Sequence, residues 1–362
     1  MKSRFRRCRY RILLAWVAFL FPQTILNADW PEHRGNRQRT GYVSQTIQSK
    51  NWMPVWRCDF LSPPEPAWPE PARGSLWQEL DHIEGRVTDD RADVPLIVTD
   101  RFGSTHILVA SSANDCLVSL DPATAQVRWR YVTRAPIRYA PSVAGGVACF
   151  GSDDGVIRAL DISDGRELWH VHPGPDMPCV IGNGRIISSH PVRTSVVIDA
   201  GRVFAAVGLF PSQGVYLVAL EVDDGDLIWR RKLYQSPQGY LLNDNENLFV
   251  PTGRAQPFAV RKSDGEFLYD LPSPGGSFCM LTPEAFFTGP GNDSSIQIKP
   301  PEGDAKMLSF KGKQVVAGNG MIWTANGAKL ACHDMTSIAG GDDGCVWQTD
   351  SALDTFLLVT GN

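Results

Sequence analysis

The stretch from Tyr139 to His170 alternates short apolar runs with turns carrying Gly and Asp. Tyr139–Val143 is followed by a run ending at Phe150, then by Val156–Leu160, then by Glu167–His170. Alternation over such short lengths suits strands with one buried face. The pairs Asp154-Gly155 and Asp164-Gly165 provide the positive φ that tight turns need. The pattern predicts a four-stranded antiparallel meander.

The same pattern recurs. Leu120-Asp121, Leu160-Asp161, Leu220-Glu221 and Val260-Arg261 correspond, each followed at a fixed distance by an aromatic: Trp129, Trp169, Trp229 and Tyr269. The steps are 40, 60 and 40 residues, the longer one carrying an insertion near Pro173–His190. Weaker echoes fall at Phe310 and Trp347, with one upstream at Trp56. A period near forty with four strands per unit marks a β-propeller, so the expected class is all-β, with four-stranded antiparallel blades in a ring of seven or eight, closed or incomplete. One large flat side chain per unit would fill the gap between neighbouring sheets, each burying about 200 Å².

Taken in order, Asp29–Val43 reads as an extended leading segment and Val55–Phe60 as a lone strand carrying Trp56. Residues 61–92 form a Pro-rich insertion, stiff and extended. Full units are expected over Asp93–Tyr131, Tyr139–Val171, Arg193–Arg230 and Gln238–Tyr269, with residues 173–192 inserted between the second and third. A fifth, near Ser277–Phe310, is degenerate, with Pro300-Pro301 interrupting its third strand, and a sixth runs to Trp347. Ser351–Val359 supplies two more strands that would join the Trp56 strand to close the ring. One strand is then missing, which reads as a truncated version of a longer design or a three-stranded last blade.

Residues 1–28 change the picture of where the chain works. Six Lys and Arg precede the apolar core Ile12–Phe21, and no acid occurs before Asp29. The core is shorter than the roughly 20 residues a spanning helix needs, so a cleavable export signal is expected, with no stable transmembrane anchor. Its removal moves the net charge from −4 to −10, since six cations and no anions leave. That argues against nucleic acid as partner. Seven scattered Cys remain after residue 28 and form no disulfide framework; Cys332 and Cys345 are the nearest pair, and Cys116 and Cys149 read as small buried hydrophobes.

Phe150-Gly151-Ser152-Asp153-Asp154-Gly155 and Ala159-Leu160-Asp161, with Asp164-Gly165 leading to Trp169, resemble the pyrroloquinoline-quinone-type (PQQ-like) propeller repeat. Trp30-Pro31 with Arg34-Gly35, the run Ser236–Tyr240 and the run Val250–Arg254 resemble secreted members of the same family. The resemblance implies one of two kinds of protein. Quinoprotein dehydrogenases oxidise alcohols or sugars with the quinone and Ca²⁺; envelope scaffolds such as the BamB type are not catalysts. The adjacent Cys pair of many alcohol-oxidising members is missing, as is the Cys-x-x-Cys-His of haem-bearing ones, and no Ca²⁺ ligand set can be carried over. A quinone cofactor is thus not supported by site residues, and a remnant of a multidomain enzyme is a further alternative.

Candidate ligand-binding residues lie where the innermost strands open: Arg138, Arg193, Gln238 and Tyr240, with Arg254. Three Arg on an acidic protein make a cationic funnel mouth suited to carboxylate or phosphate groups. The structural alternative is that they pair with nearby Asp. His170 and His172 fall on one face of a strand with His190 across the insertion, and Cys332-His333-Asp334 is a second cluster; both are more ordinarily surface or core residues than metal ligands. Asp153-Asp154-Gly155 and Asp342-Asp343-Gly344 are explained by turn chemistry without an ion. No nucleophile elbow or phosphate loop is present. The expected function is a non-catalytic scaffold, exported to the periplasm or outer envelope, binding an envelope protein or a small anionic ligand. The alternative is a quinoprotein-type oxidoreductase.

Overall fold

A computed structural model describes residues 29–44, 56–58, 62, 94–175, 179–182, 185–253, 255–271, 278–283, 285–289, 295–299, 308–311, 314–339, 342, 344–352 and 359–360. Among the described residues six four-stranded antiparallel sheets form, each in simple sequence order. Blade 1 holds Leu96–Thr99, Thr105–Ser111, Cys116–Leu120 and Val127–Val132. Blade 2 holds Ser142–Ala144, Val147–Gly151, Ile157–Asp161 and Glu167–Val171. Blade 3 holds Val197–Asp199, Arg202–Val207, Val215–Glu221 and Leu227–Leu233. Blade 4 holds Leu242–Asn243, Asn247–Val250, Phe258–Arg261 and Phe267–Asp270. Blade 5 holds Phe278–Leu281, Phe286–Gly289, Ser295–Lys299 and Leu308–Lys311, and blade 6 holds Gln314–Gly318, Met321–Ala325, Lys329–Asp334 and Cys345–Asp350.

The middle strands are the most buried because they have a sheet neighbour on each side and a blade on each face; Ile157–Asp161 has no exposed residue. The fourth strands alternate toward solvent and form the outer edge, as in Val127–Val132, where only Trp129 is buried. The first strands converge on the axis: Ser142–Ala144 touches Val197–Asp199, and Leu242–Asn243 touches Phe278–Leu281.

The recurring aromatic is a latch between blades. Trp129 donates its indole N–H to Ile162 O (2.9 Å), Trp169 to Val222 O (2.8 Å) and Trp229 to Lys262 O (3.0 Å). Each acceptor lies in the last turn of the next blade. The ring also covers that turn's glycine: a Cβ on Gly165, Gly225 or Gly265 would fall 2.6 to 2.7 Å from Trp129, Trp169 or Trp229. All three glycines have positive φ, so both conformation and space demand glycine there. Within its own blade each aromatic faces a small residue at a register shift: Ser119 opposite Trp129, Ala159 opposite Trp169, Ala219 opposite Trp229.

Trp56 repeats the latch, donating to Pro122 O of blade 1 at 2.8 Å. Its surroundings differ from the expected lone strand, for Trp56–Cys58 has no strand pairing. The chain ends meet in another way. Tyr42–Val43 pairs in parallel with Val359–Thr360. Blade 5 is four-stranded, its third strand spanning Ser295–Lys299. The expected export signal over residues 1–28, the Pro-rich segment apart from Ser62, Pro300-Pro301 and residues 353–358 of the tail lie outside the described residues.

Candidate functional site

A propeller's natural site is its axis, and here the leading segment lies along it. Residues 30–40 touch the innermost strand of all six blades. Trp30 exchanges backbone hydrogen bonds with Ile97 of blade 1, and Pro31 O accepts from Val143 N of blade 2. Arg37 forms an ion pair with Asp199 of blade 3, and its carbonyl accepts from Asn243 N of blade 4. Gln38 O accepts from Leu281 N of blade 5, and Thr40 O from Ala317 N of blade 6. Only a segment on the axis can reach six innermost strands.

Two arginines anchor it from within. Arg39 is 1% exposed; it pairs with Glu32 (2.6 Å) and donates to Leu241 O from both Nε and Nη2 (3.0 and 2.9 Å) and to His33 O (3.1 Å). A buried guanidinium tolerates burial only when its donors are met in this way. Arg34 donates to Arg39 O and to Val315 O of blade 6. His33 stacks on Tyr240 with ring centroids 3.7 Å apart.

The candidate residues gather beside this segment, on the face that carries the blade-to-blade connections. Arg138 Nε donates to Asp153 Oδ2 at 2.8 Å, and Arg193 Nη1 lies 3.8 Å from Asp153 Oδ1. Asp153 is fully buried, and its Oδ1 accepts no hydrogen bond among the described residues. One carboxylate from blade 2's middle turn therefore faces two guanidiniums that precede the innermost strands of blades 2 and 3. This is the structural pairing posed as the alternative to a cationic mouth. Tyr240 reaches from blade 4 to blade 2, stacking edge-on against Tyr139 (5.1 Å) and accepting from Ala140 N at its hydroxyl (3.2 Å). Gln238 is partly exposed, holds Pro251 O through its backbone N–H, and lies beside Gly253. Arg254 lies outside the described residues.

The other clusters are placed as follows. His170 is exposed and its Nδ1 bonds Glu167 Oε1 at 2.6 Å. His190 is fully buried, with its ring nitrogens on Ser189 Oγ and Gln213 O (3.1 Å each). The three histidines do not converge, and among the described residues no three His, Cys, Asp or Glu are arranged to hold a metal. Asp334 accepts from Ser337 N (2.8 Å) at the start of a short helix, while Cys332 and Cys345 are not joined in a disulfide. Cys149 is buried as expected, and that burial pushes its thiol up. Asp154 serves its turn and Arg158 (2.6 Å): burial raises its carboxyl, and the Arg158 hydrogen bond and charge more than offset that.

Two arrangements escaped the sequence reading. His106 lies between Ser119 Oγ (2.9 Å) and Asp100 Oδ2 (3.1 Å), resembling a hydrolytic triad, but Ser119 is wholly buried, so no substrate reaches it. Tyr131 of blade 1 donates to Glu167 Oε2 of blade 2. Neither has a local signature, because the partners lie on different strands.

Residues 75–205 match the family model described as outer membrane protein assembly factor BamB. A search of curated proteins found no match. Among solved structures, the quinohemoprotein alcohol dehydrogenase of Comamonas testosteroni matches with a TM-score of 0.60 at 11% identity, covering 92% of this chain and 69% of that one. A europium-containing methanol dehydrogenase matches at 0.56, also at 11% identity, covering 92% and 80%. The quinohemoprotein alcohol dehydrogenase ADHIIG of Pseudomonas putida HK5 matches at 0.53 and 11% identity over 75% of this chain, which spans 62% of that enzyme's length. At such identities the likeness shows the fold.

The fold raises the question of a quinone with Ca²⁺. A planar three-ring cofactor needs a flat slot near the axis and acidic ligands beside it. The described residues put the His33–Tyr240 stack and the leading segment there, and the carboxylates beside them are turned to basic side chains: Asp153 to Arg138 and Arg193, Glu32 to Arg39, and Asp199 to Arg37 and Lys262. They do not fit the pair. The fold is a β-propeller of four-stranded blades like that of the quinoprotein dehydrogenases, and residues 75–205 match the BamB model.

Proposed function

We propose that this chain is a non-catalytic scaffold of the cell envelope that presents its blade-connection face to a protein partner. The observation that carries the reading is the filled axis: the leading segment and the Arg138–Asp153–Arg193 cluster take the place where a cofactor or small anion would lie. The same face carries exposed apolar side chains out of keeping with a bare surface. Phe210 is 56% exposed and Tyr234 85% exposed, on loops that Ser236 joins by donating to Leu209 O. Exposed aromatics on connected loops are a usual feature of protein contact surfaces. The matching BamB model, named for an assembly factor, supports the same reading. Arg138, Arg193, Gln238 and Tyr240 then shape the floor of that face.

Site-specific photo-crosslinking in envelope extracts tests it. A discrete protein adduct is expected from Phe210 and Tyr234, and none from Asp223 on the opposite face. Adducts from neither face, or equal adducts from both, would count against the proposal. A parallel gel filtration with the quinone and Ca²⁺ is expected to separate the quinone absorbance from the protein; co-elution would favour the oxidoreductase.

A further inference from the structure

A cavity lies away from the axis. It measures about 600 Å³ and opens between the outer strands of blades 1 and 2, under the inserted hairpin formed by Cys179–Gly182 and Arg185–Ser188. Arg185 fixes that hairpin across blade 2 onto blade 1, through Asp115, Ser112 O (3.3 Å) and Ala113 O (3.1 Å). The insertion is therefore built into a wall.

The charges inside are arranged asymmetrically. Both acids of the cleft are already engaged: Glu167 by Tyr131 and His170, and Asp154 by Arg158 and the backbone of its turn. Two of its basic groups are not. Arg134 and His172 are exposed, line the cavity, and have no hydrogen bond or ion pair among the described residues. Apolar side chains complete the lining, with Val132 64% and Ile186 70% exposed.

Backbone groups are also on offer. Among the described residues, Glu167–Val171 pairs only with Ile157–Asp161, and Cys179–Gly182 only with Arg185–Ser188. Each leaves one edge without a strand. An unpaired edge accepts an extended chain through main-chain hydrogen bonds, and alternate side chains then select the sequence.

We infer that this cleft binds an extended protein segment of alternating aliphatic and acidic residues, its carboxylates meeting Arg134 and His172 and its aliphatic side chains covering Val132 and Ile186. The inference rests on the scaffold reading and names the chemistry of the partner. Charge complementarity selects the occupant: the cleft's acids are satisfied internally, Arg134 is a spare cation, and the His172 imidazole beside it can donate a hydrogen bond to a carboxylate. A concave slot with two strand edges suits a peptide better than a flat lipid surface.

Fluorescence anisotropy on the full chain tests it, with labelled Val-Glu-Val-Asp-Val-Glu and its Val-Lys-Val-Lys-Val-Lys counterpart as probes. Saturable binding of the acidic peptide alone is expected. Arg134→Glu should weaken it by about tenfold or more, and Ile186→Asp should weaken it comparably. Each variant's melting temperature reports whether it is folded, and Phe102→Ser, on a distant turn of blade 1, should bind like the parent. Equal binding of both peptides, or unchanged affinity in folded Arg134→Glu and Ile186→Asp, would overturn the inference. If crosslinking at Phe210 and Tyr234 captures a partner while the acidic peptide fails to bind, the cleft proposal falls and the scaffold reading stands.

Discussion

Ala125 holds φ +58° at the turn position where Gly165, Gly225 and Gly265 stand in the next three blades. All four close the same turn, each N–H donating to the carbonyl four residues back. A side chain in the left-handed region costs roughly 1–2 kcal/mol, partly offset by the greater flexibility of glycine when unfolded. Ala125→Gly should therefore raise stability by up to about 1 kcal/mol, read from denaturant midpoints. Glu167 invites a second test at this scale. Burial raises its carboxyl, but hydrogen bonds from Tyr131 and His170 outweigh that, leaving it below its ordinary value. A lowered folded value stabilises above the unfolded value of about 4.3, and the contribution is lost as pH falls through the folded value. Glu167→Gln should thus melt below the parent at pH 7, with the gap closing in melting curves taken toward pH 3. A gap that stays constant with pH would remove the ionised carboxylate from the explanation.

At the scale of the element, the latch explains why the blades could be read from sequence and other features could not. Leu160-Asp161, Asp164-Gly165 and Trp169 lie within ten residues of one another, and the geometry they set is local: a turn, its glycine, and a ring aimed at the next turn. Repetition then makes the pattern visible. The leading segment has no such repetition. Arg34 finds Met280 and Val315, 246 and 281 residues away, and nothing near Arg34 signals either partner. Asp153 was legible as a turn residue, but its two arginine partners were legible only as a possibility of pairing. Latch strength is measurable. Trp169→Phe keeps a ring over Gly225 but leaves Val222 O without its donor, at a cost of about 1 kcal/mol. Trp169→Ala should cost about 3–5 kcal/mol. Trp347, already 42% exposed, should lose far less on the same truncation. Equal losses at the two sites would contradict the latch.

For the whole molecule, the leading segment couples the blades to one another. Removing its main anchor should be felt by all of them. Arg39→Ala leaves Glu32 buried without its cation and Leu241 O without two donors, a change expected to cost about 3–5 kcal/mol. Tryptophan fluorescence and far-UV circular dichroism should still report coincident unfolding, at a lower midpoint. Separate transitions would mean that the blades answer to their latches alone.

The placement of that segment also bears on how the ring is assembled. Its residues leave the ribosome before any blade, yet their binding site is complete only when Ala317 and Val315 of the sixth blade have been made. The thread must wait for the needle's eye to be built around it. Contacts that span most of the chain make such closure slow, since long loops are ordered before the contacts reward them. Until then Arg34, Arg39 and the apolar innermost strands stay open to solvent and to neighbouring chains, which makes this interval the one in which a folding helper would matter most.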